Sequence, residues 1–271
     1  MSAIEAAILA VIQGLTEFLP VSSSGHLVLG KALLGSQAFS DSIAFELTVH
    51  LGTFLAVLVI FWGDIVTLFR AFMRGASKPA AWSVTYAKDQ EFKLTIHMIV
   101  AMLPAGIVGL LLKDQISELF SEPHMVSMAL LFTGAMLLGT RFFKPANQPI
   151  TLGRSILIGL AQALALTPGI SRSGSTISMA LALGIKQEQA ARFSFIMVLP
   201  LILAATILEF KDLLEVGISK AEILILVVGL VVSFLVGYVS LKWLLQLLKK
   251  GRFHYFAWYC FTIAIIGLLY F

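Results

Sequence analysis

"EFLPVSSSGH", residues 17–26, interrupts a run of apolar residues with a carboxylate (Glu17), three successive hydroxyls (Ser22, Ser23, Ser24), a glycine (Gly25) and an imidazole (His26). The chain around it is almost without charge. Its 271 residues are 59% hydrophobic and 13% charged, with a mean hydropathy of +0.95, where an average soluble domain carries roughly 25% charged residues. The sequence is that of a membrane protein, and the polar decad has to be accommodated at membrane depth.

The apolar stretch that leads into it lacks a basic n-region and carries Glu5, so it is not expected to be a cleavable signal peptide. The single cysteine, Cys260, excludes an intramolecular disulfide and a cysteine metal cluster. The net charge of +4 comes without any nucleic-acid-binding pattern, so no nucleic acid is expected as a partner. In a membrane chain the placement of Lys and Arg matters more than their sum.

Six segments are long and apolar enough to cross a bilayer, at about 43–62, 93–112, 125–142, 193–209, 221–241 and 252–271. Two further apolar stretches, 3–34 and 152–184, are each broken near the middle by Pro, Gly and Ser, at Pro20–Gly25 and Pro168–Gly174. Freed backbone groups survive at membrane depth only when buried in protein or lining a wet cavity. The breaks therefore predict two re-entrant helix–loop–helix hairpins in an all-α polytopic membrane protein.

Basic residues orient it. Placing the loops after the first, third and fifth spans on one side, with the feet of the second hairpin, collects Arg70, Arg74, Lys78, Lys88, Lys93, Arg141, Lys144, Arg154, Lys186, Arg192, Lys242, Lys249, Lys250 and Arg252. Lys31, Lys113, Lys211 and Lys220 fall on the other. The positive-inside rule makes the richer side cytoplasmic. Both termini then face outward, with the first hairpin entering from outside and the second from the cytoplasm.

The hairpins also resemble each other. A shift of 149 positions brings Gln13 onto Gln162, Ser22 onto Ser171, Ser24 onto Ser173, Gly25 onto Gly174 and Leu34–Gly35 onto Leu183–Gly184. Each hairpin is followed by three spans, an odd number, so the second half is inverted relative to the first. The expectation is one domain, 1–271, of two pseudo-symmetric halves (about 1–145 and 150–271), with its site where the broken helices meet.

The second break, "TPGISRSGST" at 167–176, sets Arg172 among Ser171, Ser173, Ser175, Thr176, Gly169 and Gly174. A guanidinium with hydroxyls, glycine-freed amides and a helix N-terminus is what an oxyanion requires. The alternative is a structural ion pair with Glu17. In the first break Gln13 and Glu17 are four apart, on one helix face. His26 is suited to acid, base or nucleophile. Ser22, Ser23 and Ser24 are phosphate ligands or nucleophiles; read alone, they would be an ordinary capping turn. Glu46 and His97, near span ends, suit snorkelling or capping. As functional candidates Glu46 and His50 rank below these residues and His97 lower still, and His124 and His254 suit the interface.

These motifs, Gln-x-x-x-Glu running into F-L-P-V-S-S-S-G-H and P-G-x-S-R-S-G-x-T at Pro168–Thr176, closely resemble the undecaprenyl-diphosphatase family linked to bacitracin resistance. The resemblance extends along the full length and includes F-E-x-x-x-H-L-G-T at Phe45–Thr53, where His50 stands at a position commonly Gln. It implies hydrolysis of undecaprenyl diphosphate to the monophosphate, with phosphate released outside the bacterial cytoplasmic (inner) membrane for reuse of the carrier in wall synthesis. It also implies a divalent cation, Mg or Ca.

On this reading Arg172 holds the diphosphate with Ser171, Ser173 and Thr176. Glu17, beside Gln13, ligates the cation or orients the attacking group. His26, Ser23 and water stay open as nucleophile. The partners are the diphosphate and membrane lipid, with a homodimer the candidate oligomer. A flippase for an anionic lipid and a small-anion channel are the rival readings.

Overall fold

The computed structural model describes residues 2–34, 43–77, 79–144, 146–204, 206 and 220–271. Among them every regular element is helical: α1 (Ala3–Thr16), α2 (Ser23–Leu34), α3 (Ile43–Ile60), α4 (Trp62–Ala76), α5 (Trp82–Lys88), α6 (Gln90–Leu111), α7 (Lys113–Leu119), α8 (Pro123–Gly139), α9 (Leu152–Leu164), α10 (Arg172–Ala182), α11 (Gln187–Met197), α12 (Lys220–Lys249) and α13 (Phe256–Tyr270). The local code is readable at several ends. Ser2 and Glu5 form a reciprocal capping box on α1, and Thr151 caps α9 through the Arg154 amide.

Four of these helices are long and apolar enough to cross a membrane: Gln90–Leu111, Pro123–Phe142, Ile223–Lys249 and Phe253–Tyr270. α3 and α4, bent by 81° at Phe61, make a fifth when counted as one. The expected span at 193–209 is not one continuous helix. α11 ends at Met197, Val198 is a turn, and helix resumes at 199–204. Pro200 explains the break, because it has no amide to bond the Ile196 carbonyl and its ring crowds that turn. Residues 207–209 of that segment lie outside the described residues. Pro104, by contrast, sits inside the unbroken α6.

Both broken stretches appear where expected, and in register. Ala3 and Leu152 open α1 and α9, Ser23 and Arg172 open α2 and α10, and both pairs are 149 residues apart. The packing follows the same exchange. α12 lies against α1 as α6 lies against α9, while α8 and α13 pack on each other.

In a membrane, apolar burial gives little drive between helices, and close approach over small residues takes its place. α12 shows this along Gly229, Ser233 and Gly237. A Cβ on Gly229 would meet the Phe45 ring at 2.7 Å and one on Gly237 the Phe18 ring at 2.9 Å. From the other side, a Cβ on Gly14 would come within 3.1 Å of the Ser233 carbonyl. Phe18, buried in the first break, also packs edge-on against Phe195, centroids 5.8 Å apart. The hydrophobic residues between Glu17 and Pro20 thus fasten the break to the core.

On the side carrying most basic residues, α4 buries Leu68, Ala71 and Gly75 and exposes Trp62, Phe69 and Met73. Asp89 caps α6 through the Glu91 and Phe92 amides and pairs with Arg74 at 2.8 Å. That hydrogen bond from Arg74, aided by the amides, holds the Asp89 carboxyl below its usual range. His97 is not a snorkelling or capping group: it is buried in α6 with its Nε2 2.7 Å from the Tyr86 hydroxyl, pinning α5 down.

The sign of a glycine substitution should follow the space around it. A Cβ on Gly159 would land on the Ala101 carbonyl where α9 crosses α6, whereas one on Gly106 meets nothing within 4 Å. Gly159→Ala is expected to destabilise the detergent-purified protein by about 1–3 kcal/mol through overpacking. Gly106→Ala should be neutral or stabilising, because alanine is the better helix former. Thermal unfolding of both variants beside the unaltered protein checks this.

Candidate active site

The two breaks meet. Gly25, in the first turn of α2, lies so close to the second break that a Cβ there would sit 3.1 Å from Gly169 Cα. Its counterpart Gly174, in the first turn of α10, would meet Pro20 Cβ at 3.4 Å. Pro20 and Gly169 are themselves 149 apart, so the contact is reciprocal, as a two-fold relation between the tips requires. The caps match as well. Ser22 Oγ accepts from the Gly25 amide at 3.2 Å and Ser171 Oγ from the Gly174 amide at 3.1 Å. Each is also paired with the hydroxyl two residues on, Ser24 or Ser173.

The backbone groups freed by the breaks find partners. Ser240 donates to the Leu15 carbonyl and Cys260 more distantly to that of Pro20, at 3.1 and 3.7 Å. Thr133 on α8 donates to the Gly169 carbonyl and accepts from the Ser171 amide, at 2.8 and 3.1 Å. Two residues take positive φ here, Ser22 at 65° and Gly169 at 92°. For a serine that is an uncommon, mildly strained conformation, and such strain clusters at functional sites.

Glu17 is the hub. Its Oε1 accepts from Arg172 Nη2 at 2.6 Å, and its Oε2 accepts from Gln13 Nε2 and Ser23 Oγ, both at 3.0 Å. The side chains of Glu17 and Arg172 are only 9% and 18% exposed. The pair is therefore largely withdrawn from water, yet it is not saturated: Arg172 Nη1 and Gln13 Oε1 are buried without a hydrogen-bond partner. Beside them lies a cleft of about 50 Å³, lined by Thr16, Glu17, Ser22, Ser23, Ser24, Ala165, Ile170, Ser171 and Arg172. α2 and α10 both begin at this cleft, so the first-turn amides of Ser23, Ser24, Arg172 and Ser173, which lack intrahelical acceptors, add two positive helix ends.

Glu17, Ser22, Ser23, Ser24, Ser171 and Arg172 are thus gathered as expected, with Gln13 touching Glu17. Gly25, Gly169 and Ser173 build the tips rather than the cleft wall. Thr176 faces elsewhere, bonded to Ser194 Oγ at 2.6 Å and to the Arg172 carbonyl at 2.9 Å. His26 stands behind Ser22, with Nδ1 2.8 Å from the Ser22 carbonyl and Nε2 2.8 Å from the Tyr259 hydroxyl. His50 bonds the Glu46 carbonyl within its own helix, and the Phe45–Thr53 motif packs α3 on α12 through Gly52. Among the described residues no three His, Cys, Asp or Glu side chains form a metal-holding group.

Sequence reasoning did not find Thr133, Ser194, Ser240 and Tyr259. Each is one of several polar or aromatic residues in its helix, and nothing local in the sequence marks it.

A methyl at position 169 would combine an unfavourable φ with a collision against the Val126 carbonyl, whereas Gly25 would need its neighbour to yield only a few tenths of an ångström. Gly169→Ala should therefore cost more than about 2 kcal/mol and sharply reduce folded yield. Gly25→Ala should retain the fold at a smaller loss. Size-exclusion profiles and melting temperatures of the two variants decide.

The family described as Bacitracin resistance protein BacA matches residues 6–266. Among curated relatives, an undecaprenyl-diphosphatase of Salinibacter ruber is 39% identical over 264 residues, 97% of this chain and 97% of the relative. One of Bacteroides thetaiotaomicron is 40% identical over 272 residues, 99% of this chain and 97% of the relative. One of Korarchaeum cryptofilum is 40% identical over 274 residues, covering 99% of this chain and 100% of the relative.

Proposed function

The chain belongs to the bacitracin resistance protein BacA family, and we infer that it hydrolyses undecaprenyl diphosphate to undecaprenyl phosphate and inorganic phosphate. The observation that carries this reading is the divided guanidinium of Arg172. One arm is fixed by Glu17, while the buried Nη1 is unspent beside serine hydroxyls and two helix N-termini. A purely structural ion pair would not need that surplus of donors, and a phosphate would use all of them.

Arg172, the first-turn amides and Ser171 bind the diphosphate. Ser23 attacks the terminal phosphorus, supported by the contact of its hydroxyl with the Glu17 carboxylate, the group placed to take its proton. The new Ser23 Oγ–P bond forms as the bond to the bridging oxygen breaks, and undecaprenyl phosphate departs. Water then cleaves the phosphoserine and releases phosphate. His26 serves the proton movements, with Ser22 between it and the cleft.

A divalent cation fits the same residues. The Glu17 carboxylate and the orphaned Gln13 Oε1 are hard oxygen donors, and Mg or Ca sites commonly draw their remaining ligands from water and substrate phosphate. When bound, the cation neutralises phosphate charge.

The protein is a multi-pass membrane protein, and we read its finer plan as six spans plus two re-entrant hairpins in inverted halves. The supports are the 149-residue register of the broken helices, the reciprocal tips and the segregation of Lys and Arg. The family's role implies the bacterial inner membrane, with the cleft opening outward. In a Cys260→Ser background, single cysteines at 113–122 should react with an impermeant thiol reagent from outside, and those at 75–90 should not. The reverse pattern would overturn both the orientation and the outward-facing cleft.

Phosphate release by purified protein tests the activity, since a flippase without hydrolysis would release none. Arg172→Lys keeps the charge but loses the planar fork. It should fold normally yet lose about 2–4 kcal/mol of transition-state stabilisation. Near-normal turnover in Arg172→Lys, or an active Glu17→Gln/Arg172→Gln double variant, would show that the arginine is structural only.

A further inference from the structure

The geometry assigns Tyr259, on α13, as the positioning residue of His26, holding its Nε2 and orienting the ring for proton transfer; this rests on the reading above that His26 handles protons. The two residues are 233 positions apart, and nothing in the sequence joins them. A backbone carbonyl can only accept, so the Ser22 contact requires the proton of His26 to be on Nδ1. The neutral ring then presents Nε2 as its basic nitrogen, and the Tyr259 hydroxyl donates to it at 2.8 Å. The rings lie parallel, within 6° and with centroids 5.5 Å apart, so the hydrogen bond joins them edge to edge and holds the imidazole in that orientation.

The placement of Tyr259 is itself fixed by the fold. Its neighbour Cys260 is buried and directed at the Pro20 carbonyl, and Gly267, further along α13, sits against Ser127 of α8. α13 is thereby held against the first break. Tyr259 itself is 45% exposed. Its hydroxyl therefore stands between a part-buried imidazole and the outer surface of the helix bundle. Ser22, a residue of the cleft wall, stands on the imidazole's other side and meets it through its backbone carbonyl. One ring nitrogen donates to the Ser22 carbonyl and so fixes the tautomer, and the other, the basic Nε2, is held by the Tyr259 hydroxyl.

Tyr259→Phe removes the hydroxyl and keeps the ring. Its kcat for phosphate release should fall about tenfold or more, short of the ~10²–10⁴-fold expected on loss of an acid–base group such as His26. KM and melting temperature should stay near those of the unaltered protein. Because Tyr259 acts through His26, adding Tyr259→Phe to His26→Ala should change turnover no further. The inference is overturned by unchanged kcat in Tyr259→Phe, by a raised KM with kcat intact (a contact with the lipid chain instead), or by an equal loss in the His26→Ala background. Those results leave the phosphatase reading standing. Full turnover in His26→Ala would remove the proton role of His26 and this inference together, and an unaltered protein that releases no phosphate would refute the phosphatase reading itself.

Discussion

The contact between Arg172 and Glu17 ties the two halves of the protein to one another. Either charge alone at this depth would be costly, because a buried ion must be paired and hydrogen-bonded to be tolerated. Each break supplies one charge, so neither hairpin is satisfied until the other is in place. Removing one partner from a buried pair typically costs about 3–5 kcal/mol, more than an exposed pair contributes. The 2.6 Å contact therefore acts as a condition on assembly as well as part of the site.

Around that contact the backbone is symmetric and the chemistry is not. The caps, the serine pairs and the close approach of Gly25 and Gly174 repeat with the 149-residue offset. The reactive positions diverge. Leu166 stands where the first half has Glu17, Arg172 where it has Ser23, and Ser175 where it has His26. One hairpin carries the carboxylate, the serine proposed as nucleophile and the imidazole, and the other carries the guanidinium proposed to hold the phosphate. The partners that hold the tips divide in the same manner, with Thr133 of α8 on the second break and Cys260 and Tyr259 of α13 on the first. Since α8 and α13 pack against each other, the two supports brace a common site.

Much of this was legible in the sequence because the signals are physical and local. Pro, Gly and Ser in an apolar run leave backbone groups to be satisfied, which located both breaks to within about a turn. Expected at Pro20–Gly25 and Pro168–Gly174, they fall at 17–22 and 165–171, because Ser23–Gly25 and Arg172–Gly174 already form the first turns of the following helices. Glu17 and Arg172 at membrane depth called for partners and found each other. The parts that escaped are long-range. Tyr259 is one aromatic among many in α13, and its meaning arises only from a ring 233 residues away. Thr176, grouped with the phosphate ligands by its motif, instead meets Ser194. α10 turns that side chain inward, and spacing alone did not reveal its direction. The interruption at Val198 was marked by Pro200, but the length of the apolar run outweighed it.

The ion pair and the phosphate clamp are often opposed as explanations of a buried arginine, yet charge makes one the condition of the other. Glu17 and Arg172 cancel, and two helix N-termini each contribute roughly half a positive charge. The substrate-free cleft is then about one charge positive, enough to attract an anion without leaving an unpaired guanidinium in a low-dielectric site. A diphosphate ester brings about two to three negative charges near neutral pH. The cleft cannot balance that excess alone, and Glu17 adds repulsion to it. The proposed divalent cation supplies the missing charge on the side of Glu17, where Gln13 Oε1 is unspent, and leaves Arg172 Nη1 for the phosphate. On this proposal the cation sits beside the carboxylate that also takes the Ser23 proton, and the guanidinium is left to the substrate.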